Sequence, residues 1–171
     1  KYFIGDLIGK GGFGTVHVCS NLTPENDERG QIVFKSYALK TIRNIDHKAM
    51  KEVEIMKELL NGNEHILELI DHELNNESKV LFIKLPLMNG GTLSQLIKSK
   101  QRLSENESRY YFHQLMKGLN FLHNKRHIHR DIKCENLLLT QGENKILKIS
   151  DFGLAKVLES KNTICGTRVR F

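Results

Sequence analysis

The chain has 171 residues, with 26 Lys+Arg against 20 Asp+Glu and a formal net charge of +6. Its 39% apolar and 27% charged residues exclude a disordered chain, and at roughly 100–200 residues per domain the length allows one domain or one small domain plus part of another. No apolar run approaches the roughly 18–20 residues of a membrane span, which excludes an integral membrane protein built on helices. Cys19, Cys134 and Cys165 form no close pair, so a reducing compartment is expected rather than a disulfide framework. The opening residues lack the long apolar stretch of a signal peptide. The basic residues are scattered apart from a cluster between Lys125 and Arg130, which reads as solvated surface and not as a nucleic-acid groove.

The first forty residues read as strand and turn. Phe3–Ile8 is short and apolar, a glycine cluster runs from Gly9 to Gly14, and Thr15–Cys19 alternates with a period of two. Asn21–Gly30 carries polar turn chemistry, and strand character returns at Ile32–Phe34 and Tyr37–Lys40. Asp46 is a candidate N-cap, after which Ala49, Val53, Met56 and Leu60 recur on one helical face until Asn61-Gly62-Asn63 stops the helix. Ile66–Ile70 and Val80–Leu85 read as two further strands, separated by the polar stretch Asn75–Lys79.

From Pro86 the character changes. Asn89-Gly90-Gly91 is a turn, and Thr92-x-x-Gln95 and Ser104-x-x-Glu107 have the form of capping boxes opening a short and a longer helix. On the longer one Phe112, Leu115, Leu119 and Leu122 keep helical spacing and define the expected apolar face. Gln141–Asn144 is a turn between the apolar runs Leu137–Leu139 and Ile146–Ile149. The expected fold class is α+β: a five-stranded antiparallel sheet with one helix over 1–85, a hinge at 86–88, and a mainly helical part over 89–171.

The chemistry-bearing motifs follow this order. Gly9-x-Gly11-x-x-Gly14-x-Val16 lies between two strands, where glycines let the backbone approach a phosphate and offer N–H donors. A dinucleotide fold needs a helix straight after such glycines, so a flap over a nucleoside triphosphate fits better. Lys40 ends an apolar strand and reaches phosphates if a carboxylate holds it. Glu52 and Glu54 are the candidates, with Glu52 preferred because it shares its face with Ala49, Met56 and Leu59. His129-Arg130-Asp131-Ile132-Lys133-Cys134-Glu135-Asn136, followed by Asp151-Phe152-Gly153, supplies the carboxylate, oxygen ligands and cation that phosphoryl transfer needs. His123, His127 and His129 have no paired cysteines and no nearby carboxylate beyond Asp131, which argues against a zinc site.

Together these motifs, in this order and over nearly the whole chain, resemble a eukaryotic protein kinase domain. The His-Arg-Asp-x-Lys-x-x-Asn form resembles serine/threonine kinases, and Ile164-Cys165-Gly166-Thr167 is similar to the calmodulin-dependent-kinase-like and Aurora-like groups. The resemblance implies a two-lobe fold, ATP and Mg²⁺ as cofactors, and a protein Ser/Thr substrate. Asp131 would take or orient the hydroxyl proton, and Lys133 would steady the γ-phosphate. Asn136 and Asp151 would hold Mg²⁺, and Lys40 with Glu52 would orient the α- and β-phosphates. Ile8, Gly9, Gly11, Gly14, Val16, Ala38 and Leu138 would surround the nucleotide, with Leu85 at the gatekeeper position and Pro86 and Met88 along the adenine edge. Met56, Leu69, His129 and Phe152 would form the apolar stack of the active arrangement. Thr163 matches the activation-loop phosphosite, served by an upstream kinase and paired to Arg130. An intracellular, cytoplasmic or nuclear location follows.

The resemblance also has departures. Related kinases place several more residues between the lysine and its glutamate than the twelve found here. Thr92 stands where many carry a ribose-binding carboxylate. After Thr167 the family continues Pro-x-Tyr-x-Ala-Pro-Glu and further helices, whereas this chain reads Arg168-Val169-Arg170-Phe171. A C-terminal lobe cut after the activation loop is therefore expected, with Leu115, Leu119 and Leu122 bared and little protein phosphorylation by this chain. The rival reading is a catalytically inactive nucleotide-binding or scaffold module.

Overall fold

A computed structural model describes residues 2–11, 14–22, 24–26, 29–43, 45 and 47–158. They divide into two compact units, Lys1–Leu60 with Leu67–Asn89, and Asn61–Ile66 with Gly90–Phe171. The candidate cap Asp46 and the segment carrying Thr163, Cys165 and Thr167 lie outside the described residues.

The first unit is built on β1 (Tyr2–Gly11), β2 (Gly14–Asn21), the small pair β3 (Glu25–Asn26) and β4 (Ile32–Val33), β5 (Ser36–Arg43), α1 (His47–Glu58), β6 (Asp71–Asn75) and β7 (Val80–Pro86). The main sheet is five-stranded and antiparallel throughout, in the order β1-β2-β5-β7-β6. Ala38, Leu39 and Lys40 are buried in its middle strand, as a strand with neighbours on both sides requires. On α1, Ala49, Val53 and Met56 face inward as their spacing predicts. The expected fourth member of that face, Leu60, is 39% exposed beyond the helix end, and Leu59 is buried in its place.

One strand is displaced along the chain. Ile66–Ile70 was expected to pair, but the strand that pairs with β7 is the polar Asp71–Asn75. β6 is an edge strand, so its side chains can stay in water while its backbone pairs on one side. Ile66, Leu67 and Leu69 are buried without regular strand geometry.

The second unit holds α2 (Leu93–Lys100), α3 (Glu105–Asn124), β8 (His127–Ile128), a 3-10 turn at Cys134–Asn136, β9 (Leu137–Leu139), β10 (Leu147–Ile149) and β11 (Lys156–Val157). Both capping boxes form. Thr92 Oγ1 accepts from the Gln95 N–H while Gln95 Oε1 accepts from the Thr92 N–H, and Ser104 with Glu107 repeats the exchange at α3. The inward face of α3 is Tyr111, Gln114, Gly118 and Leu122, not the expected Phe112 row. Phe112 is 63% exposed and Met116 45%, while Leu122 is fully buried and Leu115 and Leu119 are partly covered. The helix is turned this way because Gly118 lets α3 approach Ile149 and His65, where a Cβ would lie 2.8 Å from Ile149 Cδ1. Gln114 fixes the same rotation by accepting from the Leu147 N–H at 2.8 Å. Among the described residues no helix is long and apolar enough to cross a membrane.

Candidate active site

In the first unit, cross-strand register assembles the nucleotide candidates on one sheet face. Gly9 lies opposite Val16, Val16 opposite Lys40, and Ala38 opposite Leu85. With side chains alternating along each strand, Val16, Ala38, Lys40 and Leu85 share that face. Gly11 pairs with Gly14 across the flap, and Pro86 ends β7 opposite Tyr37. Ile8 is half-exposed on β1 just before the glycines, and Met88 follows β7 in the linking segment. The opposite face carries a cavity of about 210 Å³ lined by Ile4, Leu39, Asp71, His72, Glu73, Phe82 and Lys84, none of them a candidate.

Lys40 Nζ donates to Glu52 Oε1 at 2.7 Å and to Oε2 at 2.9 Å, with both residues buried. The short separation does not prevent the pair. α1 begins at His47, soon after β5 ends at Arg43, so Glu52 on its second turn reaches back over the strand. Met56 and Leu69 are both buried in this unit.

In the second unit, two small pairings frame the catalytic candidates. β8 pairs with β11 and β9 with β10, so the chain through Asp131 and the chain through Asp151 are each held at both ends. Leu138, in β9, bridges to Thr92. Asp131 Oδ2 accepts from Lys133 Nζ at 2.7 Å and from Asn136 Nδ2 at 3.0 Å. Burial works against the charge on Asp131, but these hydrogen bonds outweigh it and hold the carboxyl below the ordinary aspartate range. The same bond to Asp131 pushes the Lys133 ammonium above its usual value. Asn136 also donates from Nδ2 to the Asp131 carbonyl at 2.8 Å, so its amide spends its NH₂ on Asp131 and keeps a hard carbonyl oxygen for a ligand. That donor type, together with a carboxylate at Asp151, suits a hard cation such as Mg²⁺.

Arg130 and Asp151 both hold left-handed backbone, with φ of 68° and 65°. Such angles cost of order 1–3 kcal/mol and concentrate at functional turns. Arg130 Nε donates to the Leu154 carbonyl at 2.6 Å, tying its loop to the segment after Asp151. Phe152 is buried and meets the His129 ring edge-on at 5.2 Å between centroids. Ser150, between β10 and Asp151, was not singled out in the sequence. Its hydrogen-bond partner is a main-chain carbonyl fourteen residues back, which leaves no side-chain pattern to read.

A strand–glycine–strand flap with a buried Lys–Glu pair, joined in sequence to an ionised, lysine-bridged aspartate, defines a phosphotransfer class of domain. The protein kinase domain model matches residues 2–169, and the chain belongs to that family. It is 39% identical over 171 residues to the probable serine/threonine-protein kinase CCRP1 of Zea mays, covering 98% of this chain and 26% of the relative. It is 35% identical to the CBL-interacting protein kinase 11 of Oryza sativa subsp. japonica (98% and 33% covered) and 38% identical to the CBL-interacting serine/threonine-protein kinase 8 of Arabidopsis thaliana (98% and 37%). The chain thus spans about a quarter to two-fifths of the length of these curated relatives. Protein kinase domains generally use ATP with Mg²⁺ and act on protein substrates.

Proposed function

We propose that this chain transfers the γ-phosphoryl group of ATP to serine or threonine hydroxyls of proteins. The observation that carries this reading is the Asp131 carboxylate, kept ionised and oriented through Oδ2 by Lys133 and Asn136. Oriented in this way, Oδ1 is the oxygen left to receive the acceptor hydroxyl's proton. Lys133, bonded to the same carboxylate, would place its positive charge on the migrating phosphoryl group. The residues 1–85 would act as the nucleotide lobe, 86–88 as hinge and 89–171 as the catalytic lobe. Within the first, Ile8, the glycines, Val16, Ala38, Leu85, Pro86 and Met88 would contact the nucleotide, and Lys40 would meet the α- and β-phosphates.

Mg²⁺, when bound, neutralises phosphate charge as the terminal bond breaks. Asn136 and Asp151 would hold it through oxygen. Thr163 would be the site of an upstream kinase, with Arg130 its counter-charge, and Cys19 and Cys134, both free thiols among the described residues, favour a cytoplasmic or nuclear setting that a fluorescent fusion would test. The inactive-scaffold alternative is not favoured, because Lys40, Asp131, Asn136 and Asp151 are all present and the first three are held by side-chain hydrogen bonds.

The experiment is ATP thermal-shift titration with and without Mg²⁺, followed by phosphate transfer to a Ser/Thr peptide library. Stabilisation that needs Mg²⁺ is the expected result, with whatever label is transferred confined to serine or threonine. Equal shifts without Mg²⁺, or a response to Zn²⁺ alone, would overturn the reading.

A further inference from the structure

Asp131, His129, Ser150 and Asn136 are joined into a closed circuit of hydrogen bonds. The Asp131 N–H donates to His129 Nδ1 at 3.3 Å, which leaves the ring proton on Nε2, and Nε2 donates to the Ser150 carbonyl at 2.9 Å. The Ser150 N–H and Oγ–H both donate to the Asn136 carbonyl, at 2.9 and 3.0 Å, and Asn136 Nδ2 returns to the Asp131 carbonyl. His129, Ser150 and Asn136 are all buried, so water competes little for these bonds.

We propose that Ser150 is a positioning residue: its hydroxyl fixes the Asn136 peptide against the segment bearing Asp151 and so sets the spacing of the two oxygen ligands offered to Mg²⁺. This rests on the kinase reading above. The Asn136 carbonyl spends both lone pairs on Ser150. Ser150 is covalently joined to Asp151, whose left-handed backbone turns the chain off β10. The opposite end of Asn136, its amide, is tied to Asp131. Removing the hydroxyl leaves one N–H as the tether, about which the Asn136 peptide can swing. Mg²⁺ demands near-ideal octahedral geometry, so a loosened ligand spacing falls on metal affinity first.

The test is calorimetric titration of ATP into the full chain at a series of Mg²⁺ concentrations, for the unaltered protein, Ser150→Ala and Ser150→Thr. Ser150→Ala is expected to raise the Mg²⁺ concentration for half-maximal ATP binding roughly three- to tenfold, the worth of one buried hydrogen bond, and ATP affinity at saturating Mg²⁺ stays within about twofold. Ser150→Thr keeps the hydroxyl and restores the unaltered Mg²⁺ dependence. If a melting curve shows Ser150→Ala unfolded, Ser150→Cys, similar in size and a weak donor, carries the same readout. An unchanged Mg²⁺ dependence in Ser150→Ala, or an equal rise in Ser150→Thr, overturns the assignment. Loss of ATP binding that excess Mg²⁺ does not recover also overturns it. Failure of the unaltered chain to bind ATP in a Mg²⁺-dependent way overturns the kinase reading itself, and is visible without any variant.

Discussion

The Lys40 ammonium bonds both carboxylate oxygens of Glu52, at 2.7 and 2.9 Å, inside the first unit. Breaking a buried pair from one side is costlier than removing it whole, because the remaining charge stays in a low dielectric. Lys40→Met is therefore expected to destabilise the chain by about 3–5 kcal/mol in urea unfolding. Lys40→Met with Glu52→Leu should regain much of that stability and none of the ATP affinity. A double variant that recovered ATP binding along with stability would remove the phosphate contact from Lys40.

On the proposed reading, Asp131 would face the hydroxyl to be phosphorylated and not the nucleotide. Asp131→Asn keeps the shape of the acceptor site but loses the charge that Lys133 and Asn136 maintain. Turnover should fall roughly a hundredfold or more, with ATP affinity almost unmoved. Steady-state kinetics beside calorimetry separates the two, and equal losses in both would point to disturbed folding.

Two glycines of the flap should respond differently to alanine. A Cβ on Gly14 would lie 2.0 Å from the Thr41 carbonyl oxygen, at a φ of 136° that side chains avoid. Gly14→Ala should cost roughly 1–3 kcal/mol or more in stability from strain alone. Gly11 has nothing within 4 Å of such a Cβ. Gly11→Ala should leave the melting temperature nearly unchanged, so any loss of ATP affinity there reports the approach of phosphate to the backbone. Unaltered ATP affinity in a folded Gly11→Ala would argue that phosphate does not come close at that residue.

Burial lowers the pKa of His129, against the pull of the Ser150 carbonyl and the nearby Asp151 and Asp131 charges. Between the folded and unfolded values the unfolded chain binds the extra proton. Stability is therefore full above about 6.5, falls as pH drops below it, and levels off only below the folded value. Unfolding free energy measured from pH 7.5 down to 5 should decline, with a shallower slope in His129→Phe. Identical slopes would show that His129 does not carry the effect.

Much of this was legible in the residues. The glycine flap, Lys40, the Asp131–Asn136 run and Asp151 announce themselves because each needs a fixed residue type at a fixed spacing. The capping boxes at Thr92 and Ser104 were equally plain, since both partners sit within one turn. What escaped were features set by tertiary contacts. Ile66–Ile70 has the apolarity of a strand but is buried by packing, while the edge strand Asp71–Asn75 hides behind polar side chains. The rotation of α3 was missed because Gln114 and Gly118 count as gaps in an apolar pattern, although both face inward.

Strand β5 has a consequence for the order in which the first unit assembles. β1 with β2, and β6 with β7, are closures between near neighbours in the chain, whereas the rows from Tyr37↔Pro86 to Arg43↔Val80 join the most distant segments of the sheet. Distant closure carries the larger loss of chain entropy and comes late. Pulsed hydrogen exchange during refolding should find amides shared by β6 and β7 protected before those shared by β5 and β7, and simultaneous protection would contradict that order. Because Lys40 lies on this seam, affinity for nucleotide should return with the seam and not with the hairpins that precede it.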